Sequence, residues 1–409
     1  MTRLLYIANA RIPTEKAHGL QIMQNCEAFA DEGAQVSLWA AARRNTPELR
    51  AVADPWVHYG IQPNFQLRRV PCLDLQSSTI DPVFLLRKGA FLLQYATYLL
   101  MLSLWLLPAR YDVYYTRDLP AALLLSLLKP RHAIGYEPHR LSKSAVGRWL
   151  QALAVRRAGH IFPVTPYLAD ALVKAGAEPD RVHVAHDGIR ETRFSHLPDQ
   201  QTARAQIGWP QDAFIVGYVG RLHTMSMDKG VGTLIQALRQ VEGASVALVG
   251  GPDDMAQALR QTWLSFGLPD SQFLNAGQVK PEDVPLYLSA FDVCAMPFPW
   301  TEHFAYHASP IKLFEYMASG RAIVASDLPA IADVVTDGES ALLVTPGDVD
   351  TLAAAIQRLH DDPALRHQLA DCARTIVIER YTWAKRAAMI LGYLQPQQQA
   401  AHPPTPRQG

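Results

Sequence analysis

Three cations and one carboxylate, Arg221, Lys229, Lys312 and Glu315, have the residue types and setting to hold a nucleotide. Lys312 and Glu315 lie in the stretch Ser309-Pro310-Ile311-Lys312-Leu313-Phe314-Glu315-Tyr316-Met317-Ala318-Ser319-Gly320. Ser309 is a favourable N-cap, and Pro310 suits the first helical position, where its missing N–H costs nothing. Gly320 is placed to end the helix in a left-handed conformation. A helix so bounded offers backbone N–H groups at Ile311 and Lys312 and a partial positive charge, to which the Lys312 ammonium adds. Glu315 follows on the next turn. Phosphates at the helix end and ribose hydroxyls on the carboxylate are the chemistry this pattern serves. The alternative is an ordinary capped helix lying over a sheet.

The other two cations follow an apolar run, residues 214–219, that ends Gly217-Tyr218-Val219-Gly220-Arg221, with Lys229-Gly230 after a loop. A glycine at a strand end lets a ligand approach the backbone closely. Arg221 and Lys229 can grip a diphosphate from two sides. Val249-Gly250-Gly251-Pro252 is a second strand-end glycine turn. Neither matches a Walker A loop or a GxGxxG fingerprint, so ATP hydrolysis and simple NAD binding are unsupported.

The elements that must position these residues form two α/β series. In the first, strand 4–8, loop 9–19, an amphipathic helix from residue 20 and strand 36–40 make a βαβ opening, which implies a parallel sheet. Strands 113–116, 133–137 and 160–165 then alternate with helices 121–128, 145–157 and 167–175. A second series begins at 214, after a polar break. The expected fold class is α/β, with two Rossmann-like doubly wound domains facing across a central cleft and ligands at the carboxyl ends of the strands. The expected boundaries are an N-terminal domain 1–197, a linker 198–212 and a nucleotide-binding domain 213–380. A C-terminal helix 381–394 returns toward the first domain, and a Gln/Pro-rich disordered tail spans 395–409.

At 409 residues the chain is long for one core. Lys+Arg and Asp+Glu are both 38, so no global field draws it to nucleic acid. Cys26, Cys72, Cys294 and Cys372 form no CxxC pair and read as reduced thiols of a cytoplasmic protein. Residues 89–107 carry no charge and are long enough to span a bilayer. Gln94, Tyr95, Thr97, Tyr98 and Ser103 interrupt them, however, and a span would divide one sheet across the membrane. A core helix is expected, or else one resting a face on the membrane. Glu302, His303 and His307 have helical metal-site spacing, but Pro297, Pro299 and Pro310 bracket them and argue for a loop. Asp348-Val349-Asp350 opens an amphipathic helix, where N-capping accounts for it. No metal site is expected.

In their order along the chain, GYVGRL, DKG, VGGP, GQV, LSAFDVCAMPF and SPIKLFEYMASGRAIVAS resemble the C-terminal domain of the group 1 (family 4) retaining glycosyltransferases, which have the GT-B fold. IANARIPTEKAHGLQ, YYTRD, IGYEPHRL and HDGIR agree with the N-terminal half, so the resemblance reaches to about residue 393. It implies that Arg221 and Lys229 bind a donor diphosphate with the N–H groups of Ile311 and Lys312, beside Gly220 and Gly250. Glu315 would hold the ribose, and Val279 in the Gly277-Gln278-Val279 turn would border the base. Lys16, His18 and Gly19 form a loop facing the donor from the other domain, Arg117 belongs to the acceptor side, and His139 meets the transferring sugar. Two departures stand out. His307 occupies the place of the first glutamate in the family's Glu-x7-Glu, and Lys229 follows Arg221 by eight residues, a longer loop than usual.

The resemblance further implies a nucleotide diphosphate sugar donor, no metal cofactor, and a sugar or lipid-linked acceptor in cell-envelope or exopolysaccharide synthesis at the inner face of the membrane. Residues 89–107 would offer a peripheral membrane contact. The competing readings are another GT-B enzyme, such as a sugar-nucleotide epimerase or a phosphorylase, and a non-catalytic nucleotide-sugar sensor.

Overall fold

Six strands in the first half of the chain lie side by side, all pointing the same way. In the computed structural model, which describes residues 1–14, 16–75, 84–224, 227–307, 309 and 311–394, these are β1 Arg3–Ala8, β2 Gln35–Ala41, β3 Gln66–Val70, β4 Val113–Thr116, β5 Ile134–Tyr136 and β6 His160–Ile161. Their order is β3-β2-β1-β4-β5-β6, parallel throughout. The second half repeats the plan with β7 Phe214–Val219, a short antiparallel hairpin of β8 His223–Thr224 and β9 Met227–Asp228, then β10 Ala244–Val249, β11 Phe273–Gly277, β12 Val293–Met296, β13 Ala322–Ser326 and β14 Leu342–Val344. Its sheet runs β11-β10-β7-β12-β13-β14. Every residue of β10, β12 and β13 is buried, as parallel strands covered on both faces require.

Within each sheet the winding reverses next to the first strand, between β1 and β4 and again between β7 and β12. In such sheets the chain leaves two neighbouring strands in opposite directions, which opens a crevice at their carboxyl ends. The two α/β series expected from the sequence are therefore both present as six-stranded, doubly wound sheets.

Contacts divide the chain into one unit comprising Met1–Phe162, Leu172–His183 and the chain from Ala387, and a second comprising Pro163–Ala171 and Val184–Arg386. The passage between them thus lies earlier than the polar break at 198–212. That break contains a helix, Gln200–Ile207, capped by Asp199 and ended by Gly208 at φ 73°. Arg204 on this helix is buried. It pairs with Asp292 at 2.7 Å and donates to the carbonyls of Ala290 and Gln211, fastening the segment to the second unit. The helix Trp383–Leu394 ends in the first unit, where Tyr393 stacks on His183 with ring centroids 3.5 Å apart. The tail 395–409 lies outside the described residues.

The uncharged segment forms the helix Phe84–Leu106. Gln94, Tyr98, Leu102 and Leu106 recur every fourth residue as its buried stripe, and the Gln94 amide donates to Asn9 Oδ1 just past β1. On other faces Leu92, Leu100 and Leu104 are 66, 61 and 52% exposed. Only 22% of Gly89–Leu106 is buried, so the expected core helix is half a surface helix with an apolar outer face.

Candidate functional site

The second unit collects its candidate residues at the carboxyl end of β7. Gly220, the residue after β7, donates to the Val249 carbonyl at 2.8 Å, and Gly250, the residue after β10, donates to the Gly277 carbonyl at 2.7 Å. Three strand ends are thereby held level. Gly220 and Gly250 have φ of 132° and 138°, a region L side chains avoid. A Cβ on Gly250 would stand 2.1 Å from the Gly220 carbonyl oxygen. The glycine turns are thus a steric requirement of the strand ends themselves. Val279, half-buried, follows two residues after Gly277 on the same edge.

Over this edge lies the helix Ile311–Ala318. Leu313, Phe314, Tyr316, Met317 and Ala318 are buried, and the Tyr316 hydroxyl accepts the Val219 N–H at 2.9 Å, which locks the helix to the end of β7. Lys312 then runs across Gly220: a Cβ placed there would meet Lys312 Cε at 3.4 Å. Lys312 Nζ donates to Glu315 Oε2 at 2.7 Å. Glu315 is 7% exposed, and its other oxygen lies 3.7 Å from an Arg193 guanidinium nitrogen. Arg193 also donates to the Pro281 carbonyl, beyond the Val279 turn. The helix start differs in detail from expectation. Ser309 Oγ is buried and makes no capping bond, and the Ile311 N–H donates to the Ser309 carbonyl at 3.0 Å.

Lys229 completes the cluster. Its ammonium sits 5.7 Å from the centre of the Phe298 ring, and Gly230 beside it packs on the Pro297 carbonyl just after β12. The loop carrying Lys229 is therefore held at the strand reversal between β7 and β12. Burial, with the charges of Lys312 and Arg221, pushes the Lys229 ammonium down to about 8. The charges of Lys312 and Arg221 are felt at Lys229, and a cluster of three cations suits an anion. Arg221 is exposed, and its carbonyl accepts from the Tyr218 hydroxyl at 2.8 Å. His307 falls in a π-helical turn, His303–His307, where a loop was expected. Thr301 starts it by accepting the Phe304 N–H on Oγ1 at 3.2 Å. The neighbouring Ala308 and Pro310 lie outside the described residues. Asp348 caps the helix Val349–Asp361 by accepting the N–H groups of Asp350 and Thr351.

The first unit holds its candidates at the carboxyl ends of β1, β4 and β5. Lys16, exposed, precedes the helix Ala17–Asp31. Gly19 in its first turn is close-packed, since a Cβ there would stand 2.3 Å from Thr14 Cγ2 and 2.6 Å from the Tyr59 hydroxyl. His18 lies beside it, half-buried. Arg117, just past β4, donates to Gln21 Oε1 at 3.4 Å. Just past β5, His139 Nε2 lies 2.5 Å from Glu137 Oε1. The buried Glu137 accepts on Oε2 from the Tyr115 hydroxyl at 2.5 Å and from Asn25 at 3.2 Å. Gln21 and Asn25, one helical turn apart, thus tie Arg117 and the His139 support to a single helix.

Sequence reasoning missed Arg193, Gln21, Asn25, Tyr115 and Glu137. Glu137 lay inside the YEPH motif, two residues before the histidine. Arg193 gave no local signal, because its partner Glu315 is distant in the chain.

Two family models match this chain: "Glycosyl transferase 4-like domain" over residues 18–188 and "Glycosyl transferases group 1" over residues 213–362. Between them they account for both units, and the chain belongs to the group 1 glycosyltransferase family. It is 28% identical over 273 residues to the alpha-maltose-1-phosphate synthase of Mycolicibacterium smegmatis, covering 60% of this chain and 65% of that protein. It is 29% identical over 250 residues to the 2-deoxystreptamine glucosyltransferase of Streptomyces kanamyceticus, covering 59% and 60%. The matched region thus spans less than two thirds of either relative. Among solved structures, Anabaena HepE in complex with UDP superposes with a TM-score of 0.70 at 20% identity, covering 96% of this chain and 99% of that one. Sucrose-phosphate synthase from Thermosynechococcus elongatus gives 0.72 at 20% identity, covering 95% and 97%. The fold these chains share with the present one is GT-B.

Proposed function

We infer that this chain is a retaining glycosyltransferase that moves a sugar from a nucleotide diphosphate donor to an acceptor hydroxyl. The observation that carries the reading is the convergence of Lys229, Lys312 and Arg221 with the carboxylate of Glu315 at the carboxyl end of β7. Breaking the glycosidic bond of such a donor leaves negative charge on the departing diphosphate. Preorganised cations in a partly desolvated setting stabilise that charge without reorganising. Glu315 is proposed to take the ribose hydroxyls, Val279 to border the base, and His139 to orient a hydroxyl of the transferred sugar. Attack on the face the diphosphate leaves would retain configuration, with a phosphate oxygen accepting the acceptor's proton. Because the cations come from the protein itself, activity is expected to persist in chelator. A uridine donor is the first to test, as Anabaena HepE is described with UDP and with UDP-glucose.

The acceptor is proposed to be lipid-linked and used at the cytoplasmic face of the membrane, in cell-envelope or exopolysaccharide synthesis. Phe91, Leu92, Leu93, Leu100, Leu104 and Leu107 are exposed on and just past one helix. In the same unit Trp149, 65% exposed, lies beside exposed Arg148 on the helix Ala145–Arg157. Apolar, aromatic and basic groups together suit the surface of an anionic bilayer.

Transfer assays of Arg221→Ala and Glu315→Ala, with correct folding established for each, test the enzymatic reading. Loss of kcat/KM in both is expected. Retention of near wild-type values in both would overturn the site.

A further inference from the structure

We propose that Glu137 is a positioning residue, which holds His139 in the tautomer that carries its proton on Nε2 and fixes the plane of the ring. The inference rests on the proposed role of His139 and goes beyond it. His139 follows β5 after Glu137 and Pro138, so its backbone alone leaves the ring free to rotate about two side-chain bonds. Glu137 removes that freedom. It is 2% exposed, its backbone N–H is donated to the Thr116 carbonyl at 2.9 Å, and its side chain is held at Oε2 by Tyr115 and Asn25. Tyr115 lies on β4 and is itself fully buried, with its ring packed between those of Tyr6, Phe29 and Phe162. One carboxylate oxygen is thus clamped by two donors from rigid elements, and the other stands 2.5 Å from His139 Nε2.

A carboxylate accepts hydrogen bonds and cannot donate them, so the nitrogen facing it must bear a proton. Gain and loss of charge on the ring then take place at Nδ1. A carboxylate behind an imidazole is a recurrent way to set its tautomer and orientation, and behind metal-ligating histidines disturbing such a support costs about ten- to a hundredfold in affinity or activity.

The test has two arms. In selectively 15N-histidine-labelled wild-type protein, with the signal assigned by its loss in His139→Gln, the neutral ring of His139 should show the Nε2–H tautomer. A predominant Nδ1–H tautomer overturns the proposal whatever the variants do. In transfer assays, Glu137→Gln, nearly isosteric and still able to accept from Tyr115, should lower kcat about ten- to a hundredfold with a smaller change in donor KM. The same substitution should add little loss in a His139→Ala background, because its effect passes through the histidine. A purely structural role would lower both backgrounds equally, which contradicts the proposal. If His139→Ala alone is fully active, the proposed role of His139 fails and this inference fails with it. If His139→Ala is impaired while Glu137→Gln is not, the role of His139 stands and the positioning role is overturned.

Discussion

Lys312 Nζ stands 2.7 Å from Glu315 Oε2, so the cation assigned to the donor's phosphates and the carboxylate assigned to its ribose hold each other. Both belong to the first turns of one helix, three residues apart, where side chains share a face. With Arg193 at 3.7 Å on the other oxygen, the buried carboxylate is balanced from both sides. Removing it should weaken the grip on ribose and also release Lys312. Glu315→Gln is expected to raise donor KM about tenfold or more, since a hydrogen bond to a charged group is worth about 1.5–3 kcal/mol. Steady-state kinetics at varied donor concentration will show this, and an unchanged KM would remove Glu315 from the donor site.

Lys229 gives the site a pH signature. Its ammonium is pushed from 10.5 to about 8 by burial and by Lys312 and Arg221. Below about 8 it is charged and attracts a diphosphate; above that it is neutral. Affinity for a nucleoside diphosphate should therefore fall as pH rises from 7 to 9.5, and binding at the upper end should take up protons. Calorimetric titrations in buffers of different ionisation enthalpy measure both. The sign for stability is opposite. Because the folded value lies below the unfolded one, Lys229 burdens the fold below about 8, and the burden lifts as pH rises toward 10.5. Lys229→Met should flatten the pH dependence of binding and lower affinity at pH 7.

Gly230 fixes where that lysine stands. Its φ is 76°, and a Cβ would fall 1.7 Å from the Pro297 carbonyl oxygen. Gly230→Ala should lower stability by about 1–3 kcal/mol from backbone strain, with more from the forced movement of Pro297. Denaturant unfolding measures the first effect. A loss of diphosphate affinity in the surviving folded protein reports the second.

The outer face of the helix Phe84–Leu106 makes a separate prediction. Leu100→Glu with Leu104→Glu replaces two residues more than half exposed, so folding should be little affected. Flotation with anionic liposomes should be lost while nucleotide binding is kept. Flotation equal to wild type would remove the bilayer contact.

Much of the fold was legible because parallel strands buried on both faces print continuous apolar runs, and because glycine marks the strand ends at Gly220 and Gly250. The grouping of Arg221, Lys229, Lys312 and Glu315 was legible from their placing: Arg221 and Lys229 come just after strands, and Lys312 and Glu315 share the helix Ile311–Ala318. What the sequence hid depends on contacts between distant residues. Arg204 looked like part of a polar linker until Asp292, far along the chain, supplied its partner. Arg193 was hidden behind Glu315 in the same way. Composition alone left the faces of the helix at 84–106 unassigned, because its buried stripe contains Gln94 while leucines stand on its exposed faces. The π-helical turn at His303–His307 was concealed by the prolines around it, which correctly forbid a long helix but permit a single wide turn.

The central claim, that the end of β7 holds a nucleotide diphosphate sugar, is tested most directly by a thermal-shift titration with UDP, GDP and ADP sugars. Wild-type protein should rise in Tm with one nucleotide series, by the mass action of a ligand on the folded state, and the rise should be lost in Arg221→Ala and Glu315→Gln. No shift with any series, or a shift that both variants retain in full, would contradict the account.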